Sequence, residues 1–264
     1  MEARVDGDSI ELYVTDNENN RVILYNIPKS QLGNSQFYGA SADTEEDKVW
    51  GQPNLSSDGS TVSDTGLVGP NYLSISGDFL YVSDRDVFST TRIVREDLTE
   101  GDTTWDKVWG QPNFSSSGSG TSDTALGASA NGIFVQNNRL AVADLGNERV
   151  VIDNNTENDT TWDRVLGQEN FTSSTAGTSD TELNAPRDLG GDPSVLFVAE
   201  LSNNRVIQFP GSGSSGSGND ENGVSCLLER TGTPEFMLDR LRTARDWMMH
   251  TAFGRTVIDW YYEL

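Results

Sequence analysis

The sequence holds one cysteine, Cys226, and one histidine, His250, in 264 residues. A single cysteine excludes an intrachain disulfide. One histidine and one cysteine exclude a zinc site of ordinary composition and leave no partner for a Ser-His-Asp or Cys-His catalytic unit. Lysine is nearly absent, confined to Lys29, Lys48 and Lys107, and the formal charge is −23. Such a surface repels phosphate backbones, which argues against nucleic acid as a partner. It suits a marine or halophilic source, or an ordinary acidic secreted protein. No apolar run approaches the roughly 18 residues of a membrane span. The N-terminal stretch MEARVDGDSIELYV has neither the basic nor the apolar region of a signal peptide. Taken literally that means cytoplasm, but the Ser-, Thr-, Gly- and Asn-rich body reads as an extracellular or cell-surface protein whose leader lies outside this sequence.

What is abundant is repetition. DKVWGQPNLSSDGSTVSDTGLVGP begins at Asp47, DKVWGQPNFSSSGSGTSDTALG at Asp106 and DRVLGQENFTSSTAGTSDTELNAP at Asp163. A second phrase starts at Leu12 (LYVTDNENNRVILYN), Leu80, Leu140 and Leu196, spaced by 68, 60 and 56 residues. Spacing that tightens towards one value, with the excess in polar stretches, is what loop insertions in a repeat produce. Each unit reads as four short strands. In the second unit these are Tyr72–Ser76, Phe79–Asp84, Thr91–Glu96 and Lys107–Gln111, with rough apolar/polar alternation and Gly, Asn, Asp and Ser in the gaps. Repeated four-stranded units predict a mainly β chain with about four propeller blades. The Ser/Thr-rich half of the first phrase is then the crossing from one blade's outer strand to the next blade's inner strand. Three copies are expected on one face.

The acid-x4-Arg phrase, as Asp16 with Arg21, Asp144 with Arg149 and Glu200 with Arg205, resembles the NHL-repeat signature, and Asn184–Val206 is similar to a nearly complete NHL unit. The resemblance covers about residues 8–210 and implies an NHL-like β-propeller over 1–210. The second unit departs from it, with Asp84 and Arg92 eight apart. NHL propellers usually close with five or six blades, and four are visible here, the last without its VLGQ strand. Either that strand is supplied from elsewhere or the chain is part of a longer ring.

The acid can accept backbone N–H groups of its turn, and the arginine can reach it with paired donors. The alternative is that the Asp16 and Asp144 turns bind Ca²⁺, which prefers several oxygen ligands; neither matches an EF-hand loop. No other cofactor is expected. Trp105 and Trp162, in the repeated TTWD phrase, are read as covers for a neighbouring blade rather than exposed sugar- or protein-binding aromatics. Sequons at Asn54, Asn113, Asn154, Asn158 and Asn170 would carry glycans only in a eukaryotic secreted protein.

Residues 211–224 form a Gly/Ser/Asn linker, native or engineered over Gly211–Gly218. Residues 225–264 resemble the CFI-box C-terminal segment of exported bacterial proteins, through Cys226, Leu241-Arg242, Arg245-Asp246, Thr251, Gly254-Arg255 and Tyr261-Tyr262. The 3–4 spacing of Met237, Leu241, Ala244, Met248 and Ala252 predicts an amphipathic helix, followed by a short aromatic one holding Trp260 and Tyr261. About 40 residues bury little core alone, so Met237, Leu241, Met248, Trp260 and Tyr261 are candidate interaction residues. They would dock on the propeller, a partner, a sister chain or a membrane surface. Cys226, just after the tether, is a candidate anchoring site.

The function expected is that of a non-catalytic recognition, adhesion or scaffold module, with protein or glycan as ligand and the tail for anchoring or docking. One alternative is a Ca²⁺-dependent propeller enzyme of lyase or lactonase type. Another is a structural subunit that assembles through its tail.

Overall fold

Alternation in the sequence becomes pairing in space. A computed structural model describes residues 1–31, 48–85, 91–192, 194–210 and 225–226. Phe79–Arg85 and Thr91–Asp97 pair antiparallel, with Val82 opposite Val94 and Asp84 opposite Arg92. These are β6 and β7. Pro70–Ser76 (β5) lies on their inner side and Lys107–Trp109 (β8) on their outer side. The expected strands of this unit therefore form, although the fourth ends at Trp109 rather than Gln111.

The same order recurs. The first sheet holds Glu2–Asp6 (β1), Ser9–Asp16 (β2), Arg21–Pro28 (β3) and Val49–Trp50 (β4). The third holds Ala130–Gln136 (β9), Arg139–Asp144 (β10), Arg149–Asp153 (β11) and Arg164–Leu166 (β12). The fourth holds Pro186–Asp192 (β13), Val195–Glu200 (β14), Arg205–Pro210 (β15) and the two-residue Ser225–Cys226 (β16). The outer strand that has no VLGQ phrase is thus β16.

Sheets stack face to face because the middle strands are apolar on both faces. Leu80, Val82 and Val94 join Tyr13, Val22, Leu24 and Trp50 in the core between sheets one and two. Tyr81 and Ile93, pointing the other way, join Ile133, Val135, Leu140 and Val142 between sheets two and three. Ala141, Ala143, Val150 and Ile152 meet Leu189, Leu196, Val198 and Ile207 between sheets three and four. Period-two alternation supplies a different core to each neighbour. Burial of each Val, Leu or Ile contributes roughly 1.5–3 kcal/mol relative to exposure. Four antiparallel sheets stacked in series, each with its inner strand beside the next, give a propeller-like body.

Chain division places Met1–Ser225 in one compact unit and Cys226–Leu264 in another. The helices expected in the tail, and residues Met237, Leu241, Met248, Trp260 and Tyr261 with them, lie outside the described residues, as does the linker 211–224.

Candidate functional site

The acid–arginine phrase is a clamp for the repeated loops. In sheet three, Arg149 Nε donates to Asp144 Oδ2 at 2.8 Å, and both side chains are fully buried. Arg149 also donates to the carbonyls of Phe171, Ser122 and Ala125. Asp144 Oδ1 accepts the N–H of Gly127 at 2.8 Å, and Asn147 Nδ2 donates to Oδ2. The loop that enters the blade and the loop that leaves it are therefore tied to one ion pair. Sheet two does the same despite its eight-residue spacing: Arg92 Nε donates to Asp84 Oδ2 at 2.9 Å, and its other nitrogens to Ser63, Phe114 and Gly66 carbonyls. Asp16 with Arg21 and Glu200 with Arg205 repeat the pair in sheets one and four.

Electrostatics follow burial. Burial raises the carboxyls of Asp84 and Asp144 above the usual range, opposed by their arginines and backbone N–H groups. At Asp16, partial burial pushes upward, but bonds from Asn19 and Arg21 hold the carboxyl below its usual range. Both candidate Ca²⁺ carboxylates thus accept hydrogen bonds from neighbouring side chains. Among the described residues no group of three His, Cys, Asp or Glu side chains is placed to hold a metal ion.

Each repeated loop has its own internal frame. Gln52, Gln111 and Gln168 each donate from Nε2 to two carbonyls, one of them in the loop itself. Leu67, Leu126 and Leu183 are fully buried and plug each loop into the core. They sit against Gly51, Gly110 and Gly167, all at φ between +82° and +86°, where a Cβ would come within 2.7 Å of the leucine. Only glycine meets both demands. Asn54, Asn113 and Asn170 are exposed, and their Oδ1 atoms accept from the N–H two residues on and from a hydroxyl three residues on. Every copy runs from an outer strand to the next inner strand, so all three lie at the same end of the stack.

Tryptophans pack, as the aromatic reading expects. Trp105 joins the first core and Trp162 the second. Their backbone N–H groups donate to the Asp64 and Asp123 carbonyls, each at 2.7 Å, while both indole N–H groups are buried without a hydrogen-bond partner.

A polar cluster at the starts of the inner strands has no signature in the sequence. The pairings of β5, β9 and β13 each shift register near that end, a bulge that re-aims side chains. Asn71, Asn131 and Arg187 occupy these irregular segments. Arg85 donates to Ser129 Oγ at 2.7 Å. With the Asn71 amide turned so that its oxygen faces Arg85, that oxygen accepts from Nε and Nη2 at 3.2 and 3.1 Å. Tyr72 of sheet two lies near Arg187 and Asp188 of sheet four, and burial, with the Asp188 charge, raises its phenol. Burial pushes Asp188 up to about 6. Asn131 is buried and its Oδ1 has no partner. A carboxyl pushed up to about 6 can both accept and donate a proton.

No protein-family model matches the chain, and no curated protein matches it. Solved structures do. One is the nidogen/laminin complex, at 19% identity and TM-score 0.44, covering 77% of this chain and 56% of that one. Another, a protein from Lactobacillus plantarum, shares 14% identity at TM-score 0.45, with 86% and 55% covered. A third, described as a "putative 6-phosphogluconolactonase" from Bacteroides uniformis, shares 14% identity at TM-score 0.45, with 83% and 50% covered. The chain thus spans about half the length of the structures it resembles, and at these identities the likeness carries neither substrate nor partner.

Proposed function

We propose that this chain is a non-catalytic recognition and scaffold module of NHL type, acting outside the cell or at its surface on a protein or glycan. The observation that supports it best is the set of three crossing loops. They share one hydrogen-bond frame, lie at one end of the stack, and are fixed by ion pairs with little or no exposure. Equivalent exposed positions, Ser56, Ser115 and Thr172, then offer a rigid, repeated polar surface. Pre-ordered groups lose little entropy on binding. The tail 225–264 serves anchoring or partner docking in this proposal, in keeping with its CFI-box resemblance. A glycan array probed with the chain and with a Ser56→Lys/Ser115→Lys/Thr172→Lys variant tests the loop surface. Binding that the variant abolishes supports it; binding that the variant leaves unchanged rejects it. A pull-down with and without residues 219–264 tests the tail, whose role fails if partners and localisation do not change.

A second reading is favoured by Asp188, whose carboxyl burial pushes up to about 6, near Tyr72 and Arg187. Such a carboxyl suits acid/base work in opening a lactone ring by water. Turnover of a sugar lactone that Asp188→Asn removes would establish this reading over the first.

A further inference from the structure

The inter-blade cores repeat one polar contact, and the first interface leaves it unmade. Trp50 pairs with Val22 and Trp109 with Ile93, each one residue past the clamp arginine, and Leu166 takes the same place against Val150. On the facing blade Glu96 lies opposite Leu80, Asp153 opposite Leu140 and Phe209 opposite Leu196. In the second interface Trp109 Nε1 donates to Asp153 Oδ2 at 2.8 Å, and the Asn155 N–H donates to Oδ1. The third interface is apolar at both positions. The first has both polar groups near each other, yet Trp50 Nε1 and both Glu96 oxygens are buried without a hydrogen-bond partner.

Glu96 exposes 1% of its surface and shares a strand face with Val94 of the first core. None of the charged groups around it bonds it. Lys48, just before β4, holds its Nζ 5.9 Å from the Trp50 ring centroid. From β2 the Tyr13 hydroxyl donates to Glu11 at 2.8 Å, and Arg4 of β1 bonds the same carboxylate. Asp102 and Asp106, between β7 and β8, add negative charge nearby. A carboxylate buried without a donor is strongly disfavoured, so Glu96 keeps its proton while the interface is closed. Burial accordingly pushes it up to about 8.

Opening at this interface leaves the others intact. Among the described residues, sheet one contributes to the first core alone, and stacked repeats separate by nearest-neighbour interfaces. The first crossing loop straddles the joint. Its early half is held by sheet one, where Arg21 donates to the Leu55 carbonyl, Asn20 to that of Asp58 and Gln52 to that of Asn20. Its late half is held by sheet two, where Asp84 accepts the Val68 and Gly69 N–H groups and Arg92 donates to the Ser63 and Gly66 carbonyls. Ser56 therefore travels with sheet one, and Ser115 and Thr172 do not.

We propose that the joint between sheets one and two is a pH-sensitive switch: it stays shut while Glu96 carries its proton, and ionisation of Glu96 releases sheet one from sheet two while sheets two to four remain packed. Its consequence, a pH-dependent spacing of Ser56 from Ser115 and Thr172, rests on the recognition reading. The switch itself does not.

Hydrogen exchange of the full chain, followed by mass spectrometry from about pH 5 to about pH 9 and corrected for intrinsic exchange, reads the opening. The open joint frees the Glu96 proton above the ordinary value of 4.5, and the closed joint keeps it to about 8. Between those values opening of β2 and β3 should therefore rise with pH, by about tenfold per unit, and then level off. Glu96→Gln, which has no proton to lose, should flatten that rise in sheet one and leave sheets three and four as they were. A rise absent from the parent, one that Glu96→Gln leaves in place, or one shared equally by all four sheets would overturn the proposal. Should Glu96→Gln not fold, Glu96→Leu decides by the same readout, being apolar as Phe209 is at that place in sheet four. No ligand enters the measurement, so its failure leaves the recognition reading standing, and a failed glycan array leaves the switch standing.

Discussion

Arg149 closes on Asp144 at 2.8 Å across a five-residue turn, and neither side chain exposes any surface. The pair is worth less for its own attraction than for what it holds. Replacing Arg149 with Met would leave a buried carboxylate and three loop carbonyls without their donor. Loss of one partner of a buried pair typically costs about 3–5 kcal/mol. Urea unfolding should show Arg149→Met losing that much, with Asp144→Asn/Arg149→Met losing clearly less than the two single changes combined. Additive losses would mean that the pair acts only as packing.

A carboxyl in the first interface sets a pH dependence. Burial pushes Glu96 up to about 8, and the nearby Trp50 N–H offsets this only in part; neither carboxyl oxygen has a partner at hydrogen-bond distance. The unfolded chain loses this proton near 4.5 and the folded one near 8. Between these values the folded state binds more protons, so stability falls as pH rises, by a few kcal/mol on the order expected for such a shift. Glu96→Gln has no proton to lose. Its Tm should exceed the parent's above pH 8 and match it near pH 4.5; parallel Tm curves would reject the assignment.

How much of this was legible in the sequence depended on distance along the chain. The pairs Asp16–Arg21, Asp144–Arg149 and Glu200–Arg205 could be read because both members sit in one hairpin. Asp84–Arg92 looked like a departure, yet the longer turn leaves the register opposite and the same bond forms. The reach of each arginine to loops 22–29 residues away was not readable, since carbonyls have no sequence signature. Nor was the cluster of Asn71, Asn131, Arg187 and Asp188. It depends on bulges, which insert one unpaired residue with no signature of its own, and on Tyr72 of one blade lying near Asp188 of another.

Close approach of two inner strands gives a third test. A Cβ on Gly132 would lie 2.5 Å from Asp188 Oδ1 and 2.7 Å from its Cα. Backbone cannot yield as a flexible side chain can, so Gly132→Ala should cost about 1–3 kcal/mol and move the Asp188 titration. Gly59, in a crossing loop, has open space around its Cα. Gly59→Ala should be neutral or slightly stabilising, by up to about 1 kcal/mol. Thermal unfolding of the two variants, with the Asp188 carboxyl followed by NMR, checks both.

The repeat itself supplies the last experiment. Its third interface shows that Leu can replace the outer-strand tryptophan when Phe replaces the facing acid, as Leu166 and Phe209 do. Trp109→Leu alone in the second interface would open a cavity and deprive Asp153 of its indole donor, costing about 3–5 kcal/mol. Asp153→Phe alone would crowd a ring against Trp109 and remove the acceptor for the Asn155 N–H. Together the changes recreate a pairing already present in this chain, so the double variant should be more stable than the sum of the single losses by about 1–3 kcal/mol. Urea unfolding of the four proteins in the cycle measures that coupling. A value near zero would show that the two positions do not share one packing solution.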